Sequence, residues 1–292
     1  MTILITGASG FVGSRLAGRL SGEREIACLS RTKPKNDAEA PFVYGSFDCF
    51  EDLRGLDSYR IDAVVHLAAV TGGCSEEDGL AVNVLGTRRL YRYLLDRGCR
   101  LFVAASSIAA VGCLDPAFMP HGLPIADDHP CLATDAYGTS KAMMEQLTGY
   151  LSRRHPDASF VNFRLGVVLD DETWTPTPIT AGTPLGAPFT QLATVFASDA
   201  IRAIVAALDA PPRPGVRTYN LVGPDAGCDD PVADVLAACL DSRHHPMLAY
   251  YRSAETAFAP VFDMRAIKEE LGFIPAKSTR YAASSNSKEA AQ

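Results

Sequence analysis

The chain has 292 residues, 47% of them hydrophobic and 21% charged, with a formal charge of −7. That length and balance suit one large α/β domain, or one with a small appendage, and exclude a disordered chain. The acidic balance argues against a nucleic-acid partner, although a local basic cluster can still hold a phosphate.

In chain order, residues 2–6 read as a strand, and this apolar run is too short, and lacks the basic leader, for a signal peptide. Residues 11–20 read as a helix, with Val12, Leu16 and Leu20 on one side. Strands follow over 25–30, 42–45 and 63–67. The last is continuously apolar, as in a parallel sheet covered on both faces. A helix over 79–97 carries Leu80, Val84, Thr87, Leu90 and Leu94 along one side. A buried strand over 101–105, a helix over 136–153 and a strand over 160–168 come next. Residues 169–190 are proline-rich without a period, which predicts a long functional loop. Helix 196–208, strand 216–222, helix 229–241 and helix 264–271 complete the pattern, and the chain is expected to fray from Ala282. No stretch reaches the ~18 apolar residues of a membrane span, so the expectation is a cytoplasmic protein with no membrane partner. The eight cysteines form no Cys-x-x-Cys pair and read as mostly buried apolar residues. His244 and His245 near Cys239 lack ligand spacing, so no metal is expected.

Strands alternating with helices predict a doubly wound parallel sheet. Gly7, Gly10 and Gly13 lie between the first strand and the first helix. The first glycine permits a tight turn, the second lets backbone approach a pyrophosphate, and the third lets helix pack on strand. The phosphates then meet free N–H groups at the positive end of the helix. This is a Rossmann-type dinucleotide site, and Ser9, Phe11 and Val12 of the same loop count among its contacts. After the second strand an NAD enzyme usually places an acid against the ribose 2′-hydroxyl. Here the residues are Ser30, Arg31, Thr32 and Lys33, with no acid before Asp37. Arg31 can fork onto a 2′-phosphate, with Ser30 adding a hydroxyl, so NADP is expected over NAD.

Tyr137 and Lys141 are four apart on a helix and share a face. A nearby ammonium lowers the phenol pKa, so Tyr137 can exchange a proton with an alcohol or carbonyl oxygen that Ser107 holds in place. Four other residues are ambiguous. His66 reads as structural. Asn83 fits a helix-to-loop hydrogen bond as well as a role beside the site. Trp174 is either a substrate cap or a packing anchor. Arg164 contacts substrate or forms a structural ion pair.

These motifs together resemble the extended short-chain dehydrogenase/reductase family, also called the NAD-dependent epimerase/dehydratase family. The resemblance runs from Thr6-Gly7-Ala8-Ser9-Gly10-Phe11-Val12-Gly13 through Asp62-Ala63-Val64-Val65-His66-Leu67-Ala68-Ala69 and Val82-Asn83-Val84-Leu85-Gly86-Thr87. It continues in Ser106-Ser107-Ile108-Ala109-Ala110-Val111-Gly112, Asp128-His129-Pro130 and Tyr137-Gly138-Thr139-Ser140-Lys141. It closes in Phe262-Asp263-Met264 to Leu271-Gly272-Phe273-Ile274-Pro275. The resemblance implies that Ser107, Tyr137 and Lys141 are catalytic and that Lys141 also reaches the nicotinamide ribose. It further implies that Leu67, Ala68 and Ala69 line the cofactor, with Leu165 and Val167 near the nicotinamide.

The sequence departs from the family pattern in three places. The family's Gly-Asp-Leu near the adenine is Gly45-Ser46-Phe47, with Ser46 and Phe47 in the contact positions. The tyrosine sometimes found before Gly112 is Val111. The Asn-x-Tyr-Gly-Pro after the sixth strand is Gly166-Val167-Val168-Leu169-Asp170. The length and ending are similar to small dehydrogenases acting on sugar acids, such as uronate dehydrogenases. Asp170, Asp171 and Glu172 are the wrong charge for an anionic substrate unless they are simply solvated.

The expected organisation is a dinucleotide-binding core over 1–168 and a substrate-binding part over 169–292, interleaved with the last strand and helices of the core. The expected activity is NADP-dependent alcohol/carbonyl interconversion on a small or medium polar substrate. A nucleotide-sugar epimerase with tightly bound NAD and a non-catalytic dinucleotide sensor are the alternatives. Relatives pair the 79–97 and 136–153 helices across a two-fold axis, which implies a homodimer.

Overall fold

A computed structural model describes residues 1–33 and 40–281. Asp37 and the tail from Ala282 lie outside these residues. In chain order the elements are β1 (Ile3–Thr6), α1 (Phe11–Leu20), β2 (Ile26–Ser30), β3 (Phe42–Tyr44), α2 (Phe50–Leu53), β4 (Ala63–His66) and α3 (Glu76–Asp78). A π-helical stretch (Gly79–Gly86) joins α3 to α4 (Thr87–Asp96). Then come β5 (Leu101–Ser107), a 3-10 turn (Ile108–Val111), α5 (Ala136–Arg154), β6 (Ser159–Leu165) and β7 (Val167–Leu169). Last are α6 (Pro188–Gln191), β8 (Thr194–Phe196), α7 (Ala197–Asp209), β9 (Gly215–Leu221), α8 (Val232–Cys239), a 3-10 run (Ser242–Arg252) and α9 (Arg265–Leu271).

Seven strands form one parallel sheet in the order β3-β2-β1-β4-β5-β6-β9. The order reverses between β1 and β4, and a ligand crevice opens beyond the strand C-termini at such a point. β1, β4 and β5 are buried along almost their whole length because helices cover both faces. One face packs under α1 and α7, with Leu16, Ile204 and Tyr219 in the core. The other packs under α4 and α5, around Tyr91, Phe102 and Phe160. A third core, free of these strands, gathers Ile108, Ile125, Phe189, Leu236, Leu248 and Phe262. Among the described residues no helix is long and apolar enough to cross a membrane.

Three elements differ from expectation for local reasons. The strand expected over 160–168 breaks at Gly166. Its N–H stays with Leu221, while Val167 N–H turns to the Ala193 carbonyl, so β7 pairs with β8 instead. A Cβ at Gly166 would sit 2.3 Å from the Ala193 oxygen, so the crossover needs glycine. The helix expected over 79–97 starts early and widens into the π stretch. There Gly79 abuts Ser140, Gly86 abuts Phe47 and Asp48, and Leu80 is exposed rather than facing the core. The helix expected from 229 begins at Val232, because Pro231 keeps the residue before it out of the helical region and itself has ψ 136° as the N-cap. All eight cysteines are free thiols; four are buried, and Cys49 is exposed.

Candidate active site

Gly7 has φ +71°, a conformation open to glycine at little cost. A Cβ there would come within 2.9 Å of Leu67 and Ala68 backbone atoms, so the loop lies directly on the end of β4. A Cβ at Gly13 would stand 2.2 Å from the Gly7 carbonyl oxygen, which is the close helix packing the motif predicts. Gly10 caps α1, Ser9 and Phe11 beside it are exposed, and the first helical turn carries no acid. An open, unopposed helix N-terminus laid against a glycine turn fits a dinucleotide pyrophosphate. Arg15 lies over the Phe11 ring and pairs with Asp170 at 2.5 Å, tying the loop after β7 to this turn.

At the end of β2, Ser30 is buried and its hydroxyl donates to the Thr32 carbonyl at 2.5 Å, so the turn uses its proton. Arg31 and Lys33 are exposed on the same turn. Ser46 donates its N–H to Asp52 and its hydroxyl to Asp48. The Phe47 ring is buried, edge-on to His66 at 4.8 Å, so its side chain belongs to the core and its backbone is what remains for the expected cofactor contact. Leu67, Ala68 and Ala69 leave β4 half-buried beside the glycine turn, Val12 is half-buried on α1, and Leu165 and exposed Val167 flank the Gly166 crossover.

Ser107 ends β5, opposite Leu165 on β6, and its oxygen accepts the Ala109 N–H at 3.1 Å. Asp135 caps α5 through the Gly138 N–H. A Cβ on Gly138 would reach 2.5 Å from the Ala109 oxygen, so glycine lets the α5 N-terminus close on the strand end. That approach brings the Tyr137 phenol close enough to the Ser107 hydroxyl for the two to influence each other. Lys141, one turn on, is buried and donates to the Ala105 carbonyl at 2.7 Å, with its nitrogen 5.8 Å from the Tyr137 ring centre. Burial is the main reason its pKa falls to about 8, against the opposing pull of Glu145.

The expected lowering of the Tyr137 pKa is not seen. Burial raises it above the usual phenol value, and the neighbouring Ser107 hydroxyl offsets this only in part.

The ambiguous residues resolve as framework. His66 is buried between the hydroxyls of Thr6 (2.7 Å) and Thr87 (2.9 Å), and burial holds its pKa down to about 3, so it stays neutral. Asn83 pins the loop after β4 by accepting from Val70 N–H and donating to Val70 O and Ser140. Trp174 packs edge-on against Phe196. Arg164 forks onto Glu145, a pair buried inside the fold. Asp170 accepts Arg15, and Asp171 accepts Ser198 and Lys277, so each of these two carboxylates is met by a cation within the fold and does not weigh against an anionic substrate. Sequence reasoning missed Glu145; the available signal was its place one turn beyond Lys141 on the same helix face.

Comparison with known proteins identifies the family and the fold. The model of the NAD dependent epimerase/dehydratase family matches residues 3–169. A UDP-glucose 4-epimerase of Neisseria meningitidis serogroup C is 31% identical over 179 residues, covering 56% of this chain and 51% of that protein. A D-erythronate dehydrogenase of Haemophilus influenzae is 31% identical over 170 residues, covering 53% and 51%. The chain thus spans about half the length of these two relatives. A short-chain dehydrogenase/reductase superfamily protein of Agrobacterium tumefaciens, solved with bound NAD, shares the fold at TM-score 0.67. Its identity is 21%, over 96% of this chain and 94% of that one.

Proposed function

Because the chain belongs to the NAD-dependent epimerase/dehydratase family of extended short-chain dehydrogenases/reductases, we propose that it is an oxidoreductase interconverting an alcohol and a carbonyl on a small or medium polar substrate, such as a sugar derivative. The observation that carries this reading is the meeting of Ser107, Tyr137 and Lys141 at the strand ends, beside a glycine turn open to a dinucleotide. When bound, the nicotinamide supplies or accepts the hydride. Gly7, Gly10 and Gly13 would let the backbone approach the pyrophosphate, with Leu67, Ala68, Ala69, Leu165 and Val167 along the rest of the dinucleotide. Ser107 would hold the substrate oxygen, and Tyr137 would give or take its proton. Lys141 would donate to the nicotinamide ribose and bring a positive charge toward the phenol.

Arg31 supports NADP over NAD, since a guanidinium matches a phosphate fork and no acid stands beside it on the described turn. The short Gly166–Asp170 crossover supports a compact substrate. The substrate-side part of the proposal is the third core, built mostly from residues after 169. Exposed Leu80, Met143 and Tyr150 on adjoining helical segments support a homodimer through the π stretch and α5. A cytoplasmic setting fits this reading.

The experiment is a screen of aldonates, uronates and hydroxy acids with NADP or NAD, following reduced nicotinamide, in the native chain and Tyr137→Phe. Turnover lost in Tyr137→Phe while nucleotide binding persists supports the proposal. Turnover that survives the loss of the phenol contradicts it. The epimerase reading is favoured by the Neisseria relative and predicts nucleotide retained through purification and interconversion of UDP-sugars without net reduction.

A further inference from the structure

Below the proposed catalytic lysine lies a buried polar cluster that the proposed reaction leaves unused. Glu145 is 8% exposed and Arg164 4%. Arg164 Nε reaches Glu145 Oε1 at 3.0 Å and Nη2 reaches Oε2 at 2.8 Å. Ser106 Oγ donates to Oε1 at 2.6 Å, and the Cys131 thiol lies 3.6 Å from Oε2. Arg164 Nη1 donates to the carbonyls of Asp127 and His129, and Nη2 also donates to Cys131 Sγ at 3.5 Å.

Stability is a weak reason to keep such a pair, because the desolvation of two charges roughly cancels their attraction. Geometry offers a better one. Glu145 is one helical turn beyond Lys141 on α5, while Ser106 lies between Ala105, whose carbonyl accepts a hydrogen bond from Lys141, and Ser107. The carboxylate therefore fastens α5 to β5 at the level where Tyr137 must face Ser107. It is also the negative group that favours the ammonium form of Lys141 against burial.

We infer that Glu145, oriented by Arg164, is a positioning residue that keeps Lys141 charged and in place beneath the dinucleotide. The inference rests on the proposed role of Lys141 in holding the nicotinamide ribose. The groups facing Lys141 are Tyr137 and Glu145 on its own helix and neutral His66 on β4. Behind Glu145 stand Arg164 and Cys131, with Asp127 and His129 beyond Arg164.

The test is the pH dependence of NADPH and NADH binding to the full chain, followed by nicotinamide fluorescence. The native chain should bind with constant affinity below about pH 8 and more weakly above it, where Lys141 loses its proton. Lys141→Met should remove that break. Glu145→Gln should move it down by roughly one pH unit, the smaller end of what a neighbouring carboxylate does to an amine. Glu145→Asp should hold it near the native position. Glu145→Gln leaves Arg164 unpaired, so Glu145→Gln with Arg164→Met is measured beside it, and the same downward move is expected.

A break lost in Lys141→Met yet unmoved in the Glu145 variants would overturn the inference and leave the proposed function standing. A native break that survives Lys141→Met would remove the assumed role of Lys141. Failure of both Glu145→Gln forms to fold would also overturn it, because the pair would then serve the fold rather than Lys141.

Discussion

Replacing Gly13 by Ala adds one methyl group to a helix, where alanine outranks glycine by about 1 kcal/mol. Propensity alone therefore predicts stabilisation. The structure predicts the reverse, because that methyl would lie 2.2 Å from the Gly7 carbonyl oxygen, 2.8 Å from its carbon and 3.0 Å from Ala8 Cα. All three are backbone atoms of the dinucleotide turn, and Gly7 is itself seated on Leu67 and Ala68, so the turn has no room to retreat. Overpacking of this kind costs about 1–3 kcal/mol and sometimes more. A 2.2 Å approach to backbone puts the cost at the upper end, so with the propensity gain deducted the net loss is about 2 kcal/mol, or a fall in Tm of about 3 °C for a chain of this size.

The displaced turn should also lose dinucleotide affinity by at least about tenfold, since about 1.4 kcal/mol of misplaced phosphate contacts is enough. The matched control is Gly149→Ala on α5, where the nearest atom to a new Cβ is the flexible end of Arg153 at 3.6 Å. There the same change should stabilise by about 0.5–1 kcal/mol. Thermal denaturation and nucleotide titration of both variants decide the matter. If Gly13→Ala melts at or above the native temperature with affinity intact, the close-packing argument is refuted.

Two further outcomes follow from the site. His66 is neutral in the fold with a pKa near 3, against roughly 6.5 when unfolded, so its stabilising contribution is complete above about pH 6.5 and drains as pH falls toward 3. At about 1.4 kcal/mol per pH unit, the native chain should lose about 2 kcal/mol from this group between pH 7 and pH 5. Urea denaturation of His66→Gln should show that component missing, and identical pH dependence in both chains would contradict it. Tyr137→Phe should lower turnover by roughly 10²–10⁴-fold, the usual worth of a positioned acid or base, and shift nucleotide affinity less than about threefold by titration.

The sheet was legible because apolar runs such as Ala63–His66 and Leu101–Ser107 are buried on both faces and need no long-range partner to be recognised. The glycine turn was legible because its position between strand and helix restricts what it can be. The π stretch was not, because it arises where Gly79 and Gly86 meet α5 and the Ser46–Asp48 segment, neighbours distant in sequence. The seating of the Phe47 ring on His66 was hidden for a related reason, since only the fold brings the two together. The direction of the Tyr137 pKa shift was hidden too, since helical spacing puts Lys141 on the right face without saying how deeply the phenol is buried. Arg164 and Glu145 stand 19 residues apart, and only the fold brings the guanidinium to the carboxylate.

The proposed preference for a dissociable NADP is tested by a parallel titration with NADPH and NADH of the native chain and of Arg31→Ala, after checking for retained nucleotide. Tighter NADPH binding is expected, weakened roughly 10–100-fold in Arg31→Ala by loss of a charge-assisted contact of about 1.5–3 kcal/mol, with NADH little changed. Retained NAD, or a preference for NADH indifferent to Arg31, would contradict it and put the epimerase reading first.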